Sequence, residues 1–399
     1  MLSVMNFITN KAGRWLTLVI KFLIYRLCDY IKMTTQINLR LASGESDIAL
    51  QACAAAGYNH LGLLLSRMLN TGTPRYHQLC GEFLGARSQP SVAPQDIGDQ
   101  PIRVKLLCNW MSSRALCELW NKMSKGNYTW NNIQIVWTDV PEPDYYVIIN
   151  ATQDTQQWVN SSSSKVILFQ MEPHMAKRPE VWGAWAKPNP TDFLFCGTYD
   201  QHYNNNEWHL SKTYNELMEM EIVKTEAVAT VLSTVLSAKY SDPGHMKRID
   251  FVKFLEGKGM CVHVFGNNKF KYVNYKGIPP SHCKDEAMFP YKYAFNCENN
   301  QVKNYYTEKL IDGILAECLV FYSGCFNVKE YIDPRAFVYL ELSNFEDDYA
   351  RIQEAIKDNL WEKRLPYIKA AKRKILTELQ FFPRLERIIN ESRQNLLMS

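Results

Sequence analysis

The chain of 399 residues lacks most of the short motifs that announce a particular chemistry. No G-x-x-x-x-G-K-[ST] run occurs, which argues against a P-loop kinase or ATPase. No G-x-G-x-x-G follows a strand-like run, which argues against a dehydrogenase. No C-x-x-C pair is found among the eleven cysteines, so a zinc knuckle or a thioredoxin-type site is not expected. No D-x-D occurs either. An enzyme holding a diphosphate through a metal usually needs a carboxylate pair, so basic side chains would have to do that work here. Charge of one sign is also scarce. With 45 Lys and Arg against 41 Asp and Glu, the net charge of +4 is too small to argue for nucleic acid or an anionic membrane as the main partner. Long hydrophobic runs are missing too. Residues 15–28 (WLTLVIKFLIYRLC) contain Lys21 and Arg26 and fall short of the ~20 residues of a spanning helix. An amphipathic, membrane-grazing or core helix is favoured there over a signal anchor, which leaves membrane association through 15–28 open.

What is present is a large apolar fraction, 46%, enough for two or three domains with sizeable cores. Cysteines such as Cys297 and Cys318 sit inside apolar runs and read as small buried hydrophobes. Sequons occur at Asn127, Asn150, Asn160 and Asn390, and would matter only in a secretory lumen. Residues 45–85 read as short helices, and GARSQPSVAPQDIGDQP at 85–101 as a linker.

Beyond that linker, strands and helices alternate. IRVKLLC (102–108), IQIVWT (133–138), YYVIIN (145–150) and KVILF (165–169) read as strands, with a helix over 112–122 capped by Ser112 or Ser113. A second series has strands at 227–233 and 260–266, separated by a helix that starts at Pro243 and stops at Gly257 or Gly259. KYAFNCE, YTEKLIDGILAE and CLVFYSG complete a strand, a helix and a strand. Such alternation implies an α/β protein with parallel sheets, and two series split near 210–226 imply two α/β domains with a ligand cleft at the carboxyl ends of the strands.

Within ENNQVKNYYTEKLIDGILAECLVFYSG (298–324), Leu310, Ile311, Ile314 and Leu315 form an apolar stripe, so Thr307, Glu308 and Lys309 occupy the first helical turn. A helix start disfavours a cation unless an anion binds there. Lys309 is therefore either a surface lysine or a phosphate ligand. Arg248, on the preceding helix, is either a solvated side chain or a second ligand converging on the same diphosphate. Glu308 fits either an ion pair or a sugar diol, and Tyr305 fits either packing or donation to a phosphate.

FNCENNQVKNYYTEKLIDGILAECLVFYSG resembles the signature of the α1,3/α1,4-fucosyltransferases, glycosyltransferase family 10, whose members read F-E-N-S, a short gap, then Y-x-T-E-K. The spacing from Asn299 to Lys309 agrees without a gap, and KRIDFVKFLEGKGMCVHVFGNN and YIDPRAFVYLELSNFEDDYARIQEAI resemble its flanks. The likeness covers about 227–356 well, is weak over 100–220 and absent over 1–95.

The resemblance implies a GT-B fold, with two Rossmann-like domains facing a cleft. Residues 96–220 would form the acceptor-side domain, 221–399 the GDP-fucose-binding domain with C-terminal helices, and 1–95 a mainly helical extension or stem. It implies inverting transfer of L-fucose from GDP-fucose to a hydroxyl of GlcNAc or glucose in an oligosaccharide or glycoprotein, with no essential metal cofactor. By position, Arg248 and Lys309 would bind the diphosphate, while Asn299, Tyr305 and Glu308 line the donor pocket. In the family the general base is a Glu in an E-S-P-like turn. VILFQMEPHM offers Glu172, with His174 as the runner-up. Two departures stand out: E-N-N replaces E-N-S at Asn300, and the E-S-P turn lacks its Ser. The absence of a Golgi-type anchor pattern favours a cytoplasmic or membrane-associated form. Another nucleotide-sugar donor, or a non-catalytic glycan-binding protein on the same scaffold, remain the competing readings.

Overall fold

The apolar runs become parallel strands because they are buried on both faces, where a continuous run of branched and aromatic side chains suits a sheet covered by helices. In the computed structural model the described residues are 100–398 apart from 153–160, 175–182, 205–206, 233–243 and 281. The expectations for residues 15–28, 45–85 and Pro243 lie outside them.

The first sheet contains β1 (Ile102–Cys108), β2 (Thr129–Trp130), β3 (Ile133–Val136), β4 (Tyr145–Ile149), β5 (Val166–Phe169) and β6 (Phe195–Gly197) in the order β2-β3-β1-β4-β5-β6. All neighbours are parallel except the short β2–β3 pair. Every residue of β4 and β5 is buried. Helix α1 (Ser113–Trp120) follows β1, with the Ser112 hydroxyl accepting from the Ala115 amide as its cap.

The second sheet contains β7 (Glu226–Leu232), β8 (His263–Gly266), β9 (Tyr275–Gly277), β10 (Tyr291–Cys297), β11 (Leu319–Ser323) and β12 (Phe337–Tyr339). Its order is β12-β11-β10-β7-β8-β9 and every pair is parallel. The chain winds outward from β7 in one direction and from β10 in the other. The boundary between β7 and β10 is thus a topological switch point, where open α/β sheets bind ligands at the carboxyl ends of the strands. Helix α2 (Gly244–Gly257) connects β7 to β8, and helix α3 (Glu308–Leu315) connects β10 to β11. These are two Rossmann-like α/β halves, as expected. The strand expected at 260–266 forms only from His263 onward, and that expected at 133–138 stops at Val136.

Residues 99–399 form one compact unit. The last helix, α4 (Phe381–Met398), returns to the first sheet, a crossing that the division at residue 220 does not contain. Phe381 packs on Trp120 with ring centroids 4.7 Å apart, Gln380 Nε2 donates to the Met123 carbonyl at 3.2 Å, and Trp130 Nε1 donates to Glu386 Oε2 at 3.1 Å. Among the described residues, no helix is long and apolar enough to cross a membrane.

Candidate active site at the switch point of the second sheet

The carboxyl end of the second sheet opens into a cavity of about 460 Å³. Its walls include Leu232 at the end of β7, Gly266 at the end of β8, Arg248 on α2, and Glu308 and Lys309 in the first turn of α3. Gly266 has φ +106°, and a Cβ there would stand 2.1 Å from the Leu232 carbonyl oxygen. Only glycine lets β8 end this close to β7 and leave the wall flat.

Arg248 is the most informative side chain. It is 2% exposed, and its Nη1 donates to the Cys297 carbonyl at 3.2 Å and to Asn299 Oδ1 at 3.1 Å. Its Nε and Nη2 are buried and have no protein partner. Burial lowers its pKa, with no direct carboxylate bond to offset the desolvation. A planar cation with two idle donors beside a cavity suits a ligand with two oxygens on one face.

Lys309 belongs to a denser network. Its Nζ lies 3.1 Å from Thr307 Oγ1, 3.1 Å from Glu308 Oε1 and 3.5 Å from Glu298 Oε2. Burial opposes its charge, but Glu308 and Glu298 outweigh burial and raise its pKa. Local carboxylates thus account for part of the cation at a helix start. Glu308 is likewise pulled well below the ordinary carboxylate range, Lys309 and Lys284 overcoming its burial. Lys284 reaches Glu308 at 3.4 Å and the buried Asp312 at 2.8 Å.

Glu298 is a residue whose role the sequence did not disclose. Fully buried, it accepts from the Thr307 amide at 2.8 Å and the Thr307 hydroxyl at 2.7 Å, and Tyr322 Oη lies 3.3 Å away. It therefore anchors the N-cap of α3 and with it Glu308 and Lys309. Burial raises its pKa despite Lys309. Gly324 makes room for it, since a Cβ there would lie 2.4 Å from Glu298 Cγ. Asn300, at the departure from E-N-S, buries its Oδ1 without a partner.

Glu172 comes from the first sheet, just past the end of β5. Its backbone amide and that of Met171 both donate to Asn150 Oδ1, at 3.2 and 2.7 Å. Asn150 sits at the end of β4 with φ +62°, a left-handed conformation that Asn tolerates. Glu172 is half-buried, and its carboxyl is pushed up to about 7. Burial is the largest cause, Lys309 pulls the pKa back, and Glu308 and Glu298 push it up. Those influences place Glu172 within electrostatic reach of the α3 cluster. Tyr305 also feels Glu172, with burial as the main cause of its strongly raised pKa, and its ring meets Tyr199 edge-on at 5.1 Å. Asn304 ties the two halves together here, its Nδ2 donating to the Tyr199 carbonyl at 2.7 Å. His174 stands two residues beyond Glu172, with Nδ1 buried and without a partner.

Of the residues singled out in the sequence, Arg248, Glu308 and Lys309 share one cavity and Asn299 holds Arg248. Glu172 and Tyr305 do not line that cavity but are within electrostatic reach of its charges.

The chain is similar to α1,3-fucosyltransferases of known structure. One such crystal structure is 16% identical at a TM-score of 0.44, covering 72% of this chain and 93% of that one. Another, with GDP-fucose, is 16% identical at a TM-score of 0.37, covering 75% of this chain and 96% of that one. A T4 phage BGT mutant in complex with UDP-glucose is 12% identical at a TM-score of 0.35, covering 68% and 96%. No family model and no curated protein matches the chain.

Proposed function

We propose that this chain is an inverting glycosyltransferase of GT-B type that moves L-fucose from GDP-fucose to a hydroxyl of GlcNAc or glucose in a glycan. The observation that carries the reading is Arg248, buried, held by Asn299 and the Cys297 carbonyl, with two guanidinium nitrogens unpartnered, on the wall of the cavity that Lys309 also lines. A nucleotide diphosphate supplies the oxygens that Arg248 lacks and a second site for the Lys309 charge.

In this reading the two cations hold the diphosphate and stabilise the negative charge that grows on the leaving GDP as the sugar bond breaks. Glu308 and Asn299 line the donor pocket, and Tyr305 packs where the donor sugar meets the first half. Glu172 accepts the proton of the acceptor hydroxyl as that oxygen attacks the anomeric carbon. A carboxyl at about 7 is matched to the task, since a base works best when its pKa lies near the operating pH. Asn150 fixes the backbone that carries it.

Thermal unfolding with GDP tests the donor assignment. Ligand at a hundredfold excess over its Kd stabilises the protein by about 2.7 kcal/mol. Wild type should show such a shift and Lys309→Ala should lose most of it. Absence of any shift in wild type at millimolar GDP would sink the donor assignment. Glu172→Gln should keep the GDP shift and lose transfer, and a fully active Glu172→Gln would remove Glu172 as the base. A panel of nucleotide sugars with GlcNAc- and glucose-containing acceptors separates fucose transfer from the use of another donor, and turnover with none of them would favour a non-catalytic glycan-binding protein.

A further inference from the structure

A second cluster lies at the edge of the same cavity and has no part in the donor reading. Glu207, His209 and His282 each bring one ligand-type atom within 4.8 Å of the others, the one such group among the described residues. Glu207 Oε1 lies 3.1 Å from His209 Nε2, and the rings of His209 and His282 meet edge-on with centroids 4.5 Å apart. His282 Nδ1 is buried and has no protein partner. We propose that Glu207, His209 and His282 form a binding site for a divalent cation of the zinc class.

The surroundings are built to hold these ligands. Glu207 Oε2 accepts from Trp120 Nε1 at 2.9 Å, which fixes the carboxylate as an outer-shell donor does in metal sites. The His209 amide donates to Asp312 Oδ1 at 2.7 Å, and the Lys284 amide donates to the His209 carbonyl at 2.7 Å, so the loops bearing His209 and His282 are tied together. A tetrahedral zinc with bonds of about 2.0–2.1 Å sets its ligand atoms roughly 3.3 Å apart, close to the existing Glu207–His209 separation. The remaining contraction is at most about 1.5 Å on that geometry, within the reach of imidazole rotation.

The ligand set also selects the ion. Two imidazoles and one carboxylate suit zinc and its neighbours, whereas magnesium and calcium ask for oxygens. The two lysines nearby are already engaged, Lys122 with the Leu210 carbonyl at 2.9 Å and Lys284 with Asp312 and Glu308. Glu207 and His209 follow the first sheet, while His282 precedes β10, so a bound ion would cross-link the two halves beside the cavity.

The test uses the full chain freed of metal with a chelator. Zinc is titrated by calorimetry, and cobalt serves as a visible-absorption probe of coordination. The site predicts one saturable equivalent, and His282→Asn, His209→Asn and Glu207→Gln should each weaken zinc at least tenfold. Glu207→Gln keeps an acceptor for Trp120, so it remains informative if a histidine variant fails to fold. His263→Asn, outside the cluster, should bind as wild type does. Magnesium should not compete. No saturable zinc binding in wild type overturns the proposal. Binding that survives all three cluster substitutions, as it would if cysteines were the ligands, overturns it equally.

Discussion

The position of Glu172 leads to a stability effect whose sign is opposite to that of most carboxylates. An ordinary Glu titrates near 4.5, whereas Glu172 in the fold titrates at about 7. The folded state therefore holds a proton that the unfolded chain releases. Stability is highest below pH 4.5, where both states are protonated at this site. It falls as pH rises from there through about 7, because the folded protein must then carry a half-buried charge. Each pH unit across that window removes about 1.4 kcal/mol, so the full loss above pH 7 approaches about 3 kcal/mol. That figure is an upper limit, since Glu172 is only half-buried and water screens it.

Glu172→Gln removes the titration and keeps the shape. Urea unfolding of wild type and variant at a series of pH values isolates the effect, because other titrating groups are common to both and cancel. The variant should match wild type near pH 4 and exceed it by about 1–3 kcal/mol at pH 8. A difference that does not change between those pH values would refute a raised pKa for the half-buried carboxyl at 172. A variant that is less stable at pH 8 would show that the Glu172 charge is paired, by Lys309 above all.

Gly324→Ala places a methyl 2.4 Å from Glu298 Cγ and 2.7 Å from Tyr322 Oη. It should displace the anchor of α3, lower stability by roughly 1–3 kcal/mol in thermal or urea unfolding, and weaken the GDP shift more than its own stability loss explains. Asn150 is a sequon by sequence but is buried, and its Oδ1 is occupied by two amides. In a secretory host, glycopeptide mapping should find glycan at the exposed Asn127 and Asn390 and none at Asn150. Arg248→Lys keeps the charge but loses the planar pair of donors, so GDP should bind at least tenfold more weakly by calorimetry.

The fold was legible where burial is two-sided. The β4 and β5 runs contain no polar interruption, and a parallel sheet is the structure that tolerates that. Lys309 was conspicuous because the apolar stripe from Leu310 to Leu315 fixes which residues fall in the first turn of α3. Lys309 was then half-understood: the helix start made it conspicuous, but Glu298, which also compensates it, reaches α3 only through tertiary packing. Asp312 lies in that same stripe and was an unread signal, since a buried carboxylate among apolar neighbours needs partners, and it finds Lys284 and the His209 amide. Two features left no local trace. The cluster of Glu207, His209 and His282 joins segments from the two halves with no metal-motif spacing. The return of α4 to the first sheet follows from what Phe381 packs on, and an amphipathic pattern does not say which sheet covers it.

If the cavity takes the proposed diphosphate donor, the charges around it couple that donor to Glu172. Lys309 pulls the Glu172 pKa down, while Glu308 and Glu298 push it up. If a diphosphate docks on Lys309 and Arg248, their charges are spent on it, and the restraint that Lys309 exerts on Glu172 weakens. The Glu172 pKa must then rise above about 7 in the donor complex. Binding of GDP-fucose near pH 7 should therefore take up a fraction of a proton. Calorimetry in buffers of different ionisation enthalpy measures that uptake directly. A diphosphate esterified at both ends does not itself titrate near neutrality, so uptake seen in wild type and lost in Glu172→Gln belongs to Glu172. Kinetics should agree: the acid limb of kcat, which reports the bound enzyme, should lie above the acid limb of kcat/KM for GDP-fucose, which reports the donor-free enzyme. Equal proton uptake in wild type and Glu172→Gln would mean that Glu172 does not sense the donor, and a base that does not sense the donor is too far from it to act.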